Sequence, residues 1–375
     1  MALCALFAGT IGCSSSKGHD GVGGGGAGGG GAPAGGGGSP AGGGGSGGGG
    51  GTTAPTDGGA PNDDGGTTNP PDAGPPAKQS LVWVWQDFSN TLTTVAQHSP
   101  SFTQVSPALY QLNYAYTSGA AQLLSTSFDG LTPTQIAQKI HAAGLQCIPL
   151  IYAGAGNSGV DTGIQNVITD TPAGAQQSFI TSMIADAATY GWDGYNLDWE
   201  VQNLDHSYSD QLNSFLAKFR DALHAKGLTV SLDLGGWYVQ QCTDSGGNGF
   251  VDLKTLAASV DWAILEDYSG ALGSPNSGGC PSGFQDQIDC SSTFTGGLNV
   301  MCDLPPANVS IGLISPVGGN GGTNIFAGAA LDAVNAYGFR AVAVWPDDSV
   351  FLNANDISPA GATWYSLLAG YLEQQ

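Results

Sequence analysis

From Leu81 onward the sequence reads as strand, helix, strand, helix to its end, and that alternation limits the architecture more than any other feature. Leu81–Trp85 is an apolar, aromatic run of strand composition, and Ala108–Tyr116 is a second. A fully punctuated helix follows. Thr132 stands at the N-cap, Pro133 at the first helical position and Gln135 where it completes a capping box; Ile136, Ile140 and Ala143 share one face, and Gly144 ends it. Leu145–Tyr152 is the third strand, with Pro149 predicting a bulge. A helix over Ala175–Tyr190, stopped by Gly191, leads to a strand over Gly194–Glu200. Another, over Ser209–Lys226, carries Leu212, Phe215, Leu216, Phe219 and Leu223 on one face and leads to Leu228–Leu234. Trp262–Tyr268, Val309–Ile314 and Ala341–Trp345 complete the strand candidates. Several are apolar throughout, as strands covered on both faces are. Such alternation makes a parallel sheet, and this number of units favours a closed (β/α)8 TIM barrel, which takes about 250 residues, over an open doubly wound sheet. No GxGxxG follows the first strand, which argues against a dinucleotide-binding version of the open sheet.

The barrel block is expected over residues 80–375. Ahead of it, 22 of the 31 positions from Gly21 to Gly51 are glycine, and a polar Pro/Thr/Asp/Gly stretch runs on to about Ala77. A segment with so little to bury cannot offset the entropy of ordering itself, so residues 14–79 are expected to be a disordered, flexible tether. Residues 1–13 form a short apolar run closed by Gly12-Cys13 and followed by Ser14-Ser15-Ser16, which resembles a bacterial lipoprotein signal. In that pattern Cys13 becomes the lipidated N-terminus. No Lys or Arg precedes the run, and Thr10 stands where a branched aliphatic is usual. The expectation is an exported protein, secreted or held at the cell envelope, whose one link to a membrane is the lipid on Cys13.

The formal net charge is −22, and after Lys78 there are 25 acidic against six basic residues. That surface repels phosphate backbones and anionic headgroups, which excludes a nucleic-acid partner, and no apolar run reaches the ~20 residues of a membrane span. A monomer is expected. Cys147 sits in the apolar third strand and is expected to be a buried free thiol. Cys242, Cys280, Cys290 and Cys302 fall in Gly-, Ser- and Asn-rich sequence around the sixth strand, an elaborated loop region expected to hold two disulfides, with all three pairings open. Zinc is the alternative, but no CxxC or closely spaced His supports it, and neither a metal nor another cofactor is expected.

The chemistry concentrates in Asp193-Gly194-Tyr195-Asn196-Leu197-Asp198-Trp199-Glu200. Side chains at i, i+2 and i+4 of a strand share a face, so Asn196, Asp198 and Glu200 point one way while Tyr195, Leu197 and Trp199 point the other, toward covering helices. In a barrel the polar row faces an interior normally filled by apolar groups, where carboxyls are costly unless they bond to one another or serve a reaction. Glu200 falls at the C-terminal mouth, where such barrels keep their sites. The alternative is a structural polar network.

That stretch resembles the catalytic strand of glycoside hydrolase family 18, the chitinase and endo-β-N-acetylglucosaminidase family, whose pattern is DGxDxDxE. Asn113-Tyr-Ala-Tyr116 is similar to the family's second strand, Tyr268 to the Tyr of its Met-x-Tyr-Asp signature, and Trp345 to the Trp that floors the sugar site. The resemblance implies a substrate-assisted retaining mechanism, an exception to the two-carboxylate scheme. In it, Glu200 is the general acid, with its pKa raised by the Asp198 carboxylate. Asp198 orients the substrate's 2-acetamido group, Tyr268 donates to the acetamide carbonyl, and Trp345 packs against the sugar. Tyr116, Asp193, Trp237 and Glu266 are further candidates for the substrate cleft. The partner implied is an oligosaccharide or polysaccharide containing β-linked N-acetylglucosamine: chitin or its oligomers, an N-glycan or peptidoglycan. A non-catalytic lectin on the same barrel is the alternative.

Two departures stand out. Asn196 replaces the middle Asp of the pattern; an amide can bond to Asp198 but cannot take up a proton. Glu266 and Ser269 occupy the Met and Asp positions around Tyr268. Asp233 and Trp237, at the end of the fifth strand, are read equally well as cleft or as packing, and Trp83 and Trp85 are read as core.

Overall fold

The computed structural model describes residues 77–112, 121–153, 160–201, 203–234, 250–256, 258–265, 308–315, 327–336, 338–346 and 363–374. Among them, parallel strands β1 (Gln79–Val84), β2 (Gln104–Gln111), β3 (Leu150–Ala153), β4 (Gly194–Trp199), β5 (Thr229–Leu234), β6 (Trp262–Leu265), β7 (Val309–Ser315) and β8 (Ala341–Pro346) pair each with the next. β8 pairs with β1 and closes the ring, so the expected (β/α)8 barrel is what forms. Helices α1 (Phe88–Gln97), α2 (Pro133–Ala142), α3 (Val160–Ile168), α4 (Ala175–Tyr190), α5 (Ser209–His224), α6 (Ala327–Ala336) and α7 (Trp364–Glu373) lie between and after them.

Local chemistry accounts for these elements. Thr132 caps α2 by accepting from the Gln135 N–H at 3.3 Å while the Gln135 side chain accepts from the Thr132 N–H at 2.8 Å. The chain then turns at Gly144, whose φ of +77° is costly for a side-chain-bearing residue. The apolar face of α5 is fully buried at Leu212, Phe215, Leu216, Phe219 and Leu223. Pro149 interrupts the third strand, and Gln146–Cys147 and β3 on its two sides both pair with β2. The register is the same on both sides (Val105↔Cys147, Ala108↔Leu150), so the bulge expected at Pro149 lies instead on β2, where the register shifts between Ala108 and Tyr110. β2 begins earlier than its composition suggested, at Gln104, because Gln104–Pro107 pairs with Leu81–Val84 of β1. The sixth strand is described as far as Leu265, and the last three positions of the expected Trp262–Tyr268 run lie outside the described residues.

The core has two parts. The larger lies between sheet and helices and contains Tyr195, Leu197, Trp199, Phe179, Phe215 and Phe219. The smaller fills the barrel itself, with Leu81, Trp83, Ala108, Ile148, Leu150, Ile264 and Ala343 at its centre and half-buried Trp85, Tyr152, Trp262 and Trp345 against it. Cys147 is a free, buried thiol, as read from the sequence. Cys13, Cys242, Cys280, Cys290 and Cys302, the signal-like run and the Gly-rich stretch lie outside the described residues.

Candidate active site

β4 alternates as its sequence requires. On the outer face, the Tyr195 hydroxyl donates to the Met183 carbonyl at 2.7 Å, and Trp199 stacks on Phe215 with ring centroids 5.6 Å apart. On the inner face stand Asn196, Asp198 and, just past the strand, Glu200, with 0 %, 6 % and 8 % of their surface exposed. The row rises from the barrel interior toward the C-terminal mouth.

Asn196 is bound on every side. Its Oδ1 accepts from Trp83 Nε1 at 2.8 Å and from Ser106 Oγ at 3.1 Å. Its Nδ2 donates to Ser231 Oγ at 3.0 Å and to Asp233 Oδ1 at 2.7 Å. An amide has two donors and two lone pairs, so all four positions are used. These bonds run from β1 and β2 on one side of the barrel to β5 on the other, and they offset the cost of burying the amide. The amide could also bond to Asp198, but its capacity goes to Trp83, Ser106, Ser231 and Asp233. Asn196 braces the row from beneath rather than facing the cleft.

Asp233 is the acid whose sequence position fits cleft and packing equally well. The register Asn196↔Ser231 and Leu197↔Leu232 carries Asp233 to the side of Asp198 on the next strand, also facing inward. It is fully buried. Burial first, and the Asp198 charge second, push its carboxyl well above the ordinary carboxylate range; bonds from Asn196 and Trp83 oppose the shift, and the Glu200 charge adds to it. Alternation with Tyr195, Leu197 and Trp199, which pack in the core between sheet and helices, puts Asp198 on the interior side of the sheet.

Aromatic rings frame this row. Trp345 of β8 lies 5.4 Å from Trp85, just past β1, and 5.8 Å from Trp83 (centroid distances). Trp85 meets Tyr152 of β3 edge-on at 5.2 Å, and Tyr152 is the register partner of Asp198. Trp83 is core, as read from the sequence, but Trp85 is half-buried and joins Trp345 and Tyr152 at the mouth. In the sequence, the one signal for Tyr152 is its place as the last residue of the third strand, in phase with Leu150. Tyr116, Trp237, Glu266 and Tyr268 lie outside the described residues.

Asp193 needs correction. It precedes β4, at the end of the barrel opposite the mouth, and its Oδ2 accepts from the Cys147 N–H at 2.7 Å and lies 2.8 Å from His141 Nε2 of α2. The same device recurs on a later strand pair, where Asp261 accepts from the Val230 N–H at 2.8 Å and meets His224 Nε2 of α5 at 2.8 Å. Asp193 is an architectural acid, not one that lines the cleft. Gly194 has a steric reason: a Cβ there would overlap the Thr229 backbone and side chain. Among the described residues no cluster of His, Cys, Asp and Glu is arranged to hold a metal ion.

No model of a known protein family matches the chain. Its relatives and structural neighbours include class V chitinases and chitinase-like proteins. Among relatives, the class V chitinase CHIT5b of Medicago truncatula is 28% identical over 138 residues, a match that spans 36% of this chain and 36% of that protein. Among solved structures, the class V chitinase of Nicotiana tobaccum superposes with a TM-score of 0.56 at 15% identity, over 79% of this chain and 99% of the other. The chitinase-like agglutinin RobpsCRA of Robinia pseudoacacia superposes with a TM-score of 0.57 at 12% identity, over 78% and 99%. At those identities the superpositions establish the barrel fold.

Proposed function

We propose that the chain is an exported glycosidase that cleaves β-linked N-acetylglucosamine-containing glycans, chitin-like oligosaccharides first among them. The observation that carries this reading is the inner row of β4. It brings Asp198 and Glu200, two residues apart, to the C-terminal end of a closed barrel beside Trp85, Tyr152 and Trp345. The chitinase relative supports the substrate class.

In this mechanism Glu200 gives its proton to the glycosidic oxygen as the bond to C1 breaks. The carbonyl oxygen of the sugar's own acetamide closes on C1 from the opposite side and forms a cyclic oxazolinium cation. Asp198 accepts the acetamide N–H, aligns the carbonyl for attack and faces the positive charge that develops. Water, deprotonated by the Glu200 carboxylate, then opens the ring at C1; two inversions leave the configuration retained. Half-buried Trp345 and Trp85 offer flat apolar faces to the sugar ring. Tyr268 enters through the sequence resemblance, as donor to the acetamide carbonyl.

The test is hydrolysis of chromogenic N-acetylchitobiosides and triosides by wild type and Glu200→Gln. Losing the acid is expected to lower kcat about a hundredfold or more, with binding retained. The neighbouring agglutinin structure favours one second reading, a sugar-binding protein on the same barrel. Wild type that binds the oligosaccharides yet cuts none of them faster than Glu200→Gln establishes that reading instead.

A further inference from the structure

We infer that Asp233 is a positioning residue for Asp198: a neutral acid on the neighbouring strand that steadies the inner row without placing a second negative charge beside it. The inference rests on the reading of Asp198 and Glu200 as the reacting pair. Asp198, Glu200 and Asp233 are each less than a tenth exposed, and the β4–β5 register sets Asp198 and Asp233 at adjacent inward positions of neighbouring strands. Like charges at adjacent inward positions of neighbouring strands repel strongly where water is excluded, so a proton has to reside among them. Asn196 cannot hold it, being an amide with all four positions spent.

Geometry selects Asp233 as the holder. It is the one of the three with no exposed surface. Its Oδ1 is fixed as an acceptor by Asn196 Nδ2 at 2.7 Å, which leaves Oδ2 to carry the proton. Facing it are Asp198 and Asn196 from β4, Glu200 just past that strand, Ser231 on its own strand, Trp83 from β1 and, in register on β6, Ile264. Among these described neighbours, the titrating groups are Asp198 and Glu200. Burial and the Asp198 charge both favour the protonated form. With Asp233 neutral, the negative charge of the row stays on Asp198, opposite the developing cation, and Asp233 still anchors Asn196.

The experiment has two readouts on the full chain. Isotope-edited infrared spectroscopy at neutral pH is expected to show the carbonyl band of a protonated aspartic acid in wild type that is missing from Asp233→Asn, whether or not any glycan is cut. In kinetics on the chromogenic chitobioside, Asp233→Asn, which keeps a neutral hydrogen-bonding group, is expected to hold kcat within about threefold of wild type. Asp233→Leu, which keeps bulk but no polar atom, is expected to lose about tenfold or more in kcat with KM changed less than about twofold. Absence of the band overturns the inference, as does an Asn variant as slow as the Leu variant, which makes Asp233 a working charge. A wild type inactive on every N-acetylglucosamine substrate removes the proposed function, and the band then decides the protonation of Asp233 by itself.

Discussion

Replacing Asp233 with Asn removes one titrating proton while keeping the shape of the side chain and an acceptor for the Asn196 amide, so its effect on stability follows from linkage. An aspartate in the unfolded chain titrates near pH ~3.9. In the fold, burial and the Asp198 charge raise Asp233 well above that value. The folded state therefore keeps this proton over a pH range in which the unfolded state has already lost it. The stability that Asp233 contributes is full below about pH 4, declines as pH rises toward the folded pKa, and is level beyond it. Within the window the decline is about 1.4 kcal/mol per pH unit. At about 2–4 °C per kcal/mol for a domain somewhat smaller than this one, the Tm of Asp233→Asn gains on wild type by at most about 3–6 °C per pH unit. Every other group is common to both chains, so the difference between two melting curves isolates this one. Thermal unfolding followed by circular dichroism, in steps from about pH 4 to about pH 7, measures it. A Tm difference that stays constant over that range refutes the argument, because it means that Asp233 titrates alike in folded and unfolded states.

Two further outcomes test how the motif is divided. Asp193→Ala removes the acceptor of the Cys147 N–H and the partner of His141, and is expected to cost about 1–3 kcal/mol in denaturant unfolding while kcat/KM on the chitobioside changes less than about twofold. A fall in kcat/KM with no loss of stability returns Asp193 to the substrate cleft. Gly194→Ala drives a Cβ into the Thr229 backbone, which has no flexible end to yield, and is expected to destabilise by about 1–3 kcal/mol or more. An unchanged unfolding midpoint shows that β4 and β5 separate freely at this point.

Features that repeat with a fixed period, or that a few adjacent residues determine, are legible in the amino-acid sequence alone. The α5 face needs only a Leu or Phe every three or four positions, and the α2 start needs only Thr132, Pro133 and Gln135. The inward placement of Asn196, Asp198 and Glu200 needs only the period of two on a strand whose other face is Tyr195, Leu197 and Trp199. Pro149 marks a break in its own strand, but the bulge falls on the partner strand β2, between Ala108 and Tyr110. The start of β2 is hidden, because Gln104 and Pro107 are poor strand formers that become strand by pairing with β1.

Lateral neighbours are hidden for a related reason. Periodicity says which residues share a face; it does not say at what height one strand stands beside the next, and that register decides what touches Asp198. Tyr152 and Asp233 reach its two sides only because β3 and β5 are aligned as they are. Height also divides the motif. The six residues of β4 rise about 20 Å at ~3.3 Å each, most of the way from one end of the barrel to the other. An uninterrupted motif of this length therefore cannot be one site. Its first two residues meet the demands of the closed end, where Asp261 and His224 repeat the pairing made by Asp193 and His141 in a stretch with no resemblance to the motif. Asn196 belongs to the middle, where every polar atom must be bonded. Of its inward-facing residues, Asp198 and Glu200 stand nearest the level of the aromatic mouth formed by Trp85, Tyr152 and Trp345, which is where the proposed chemistry lies.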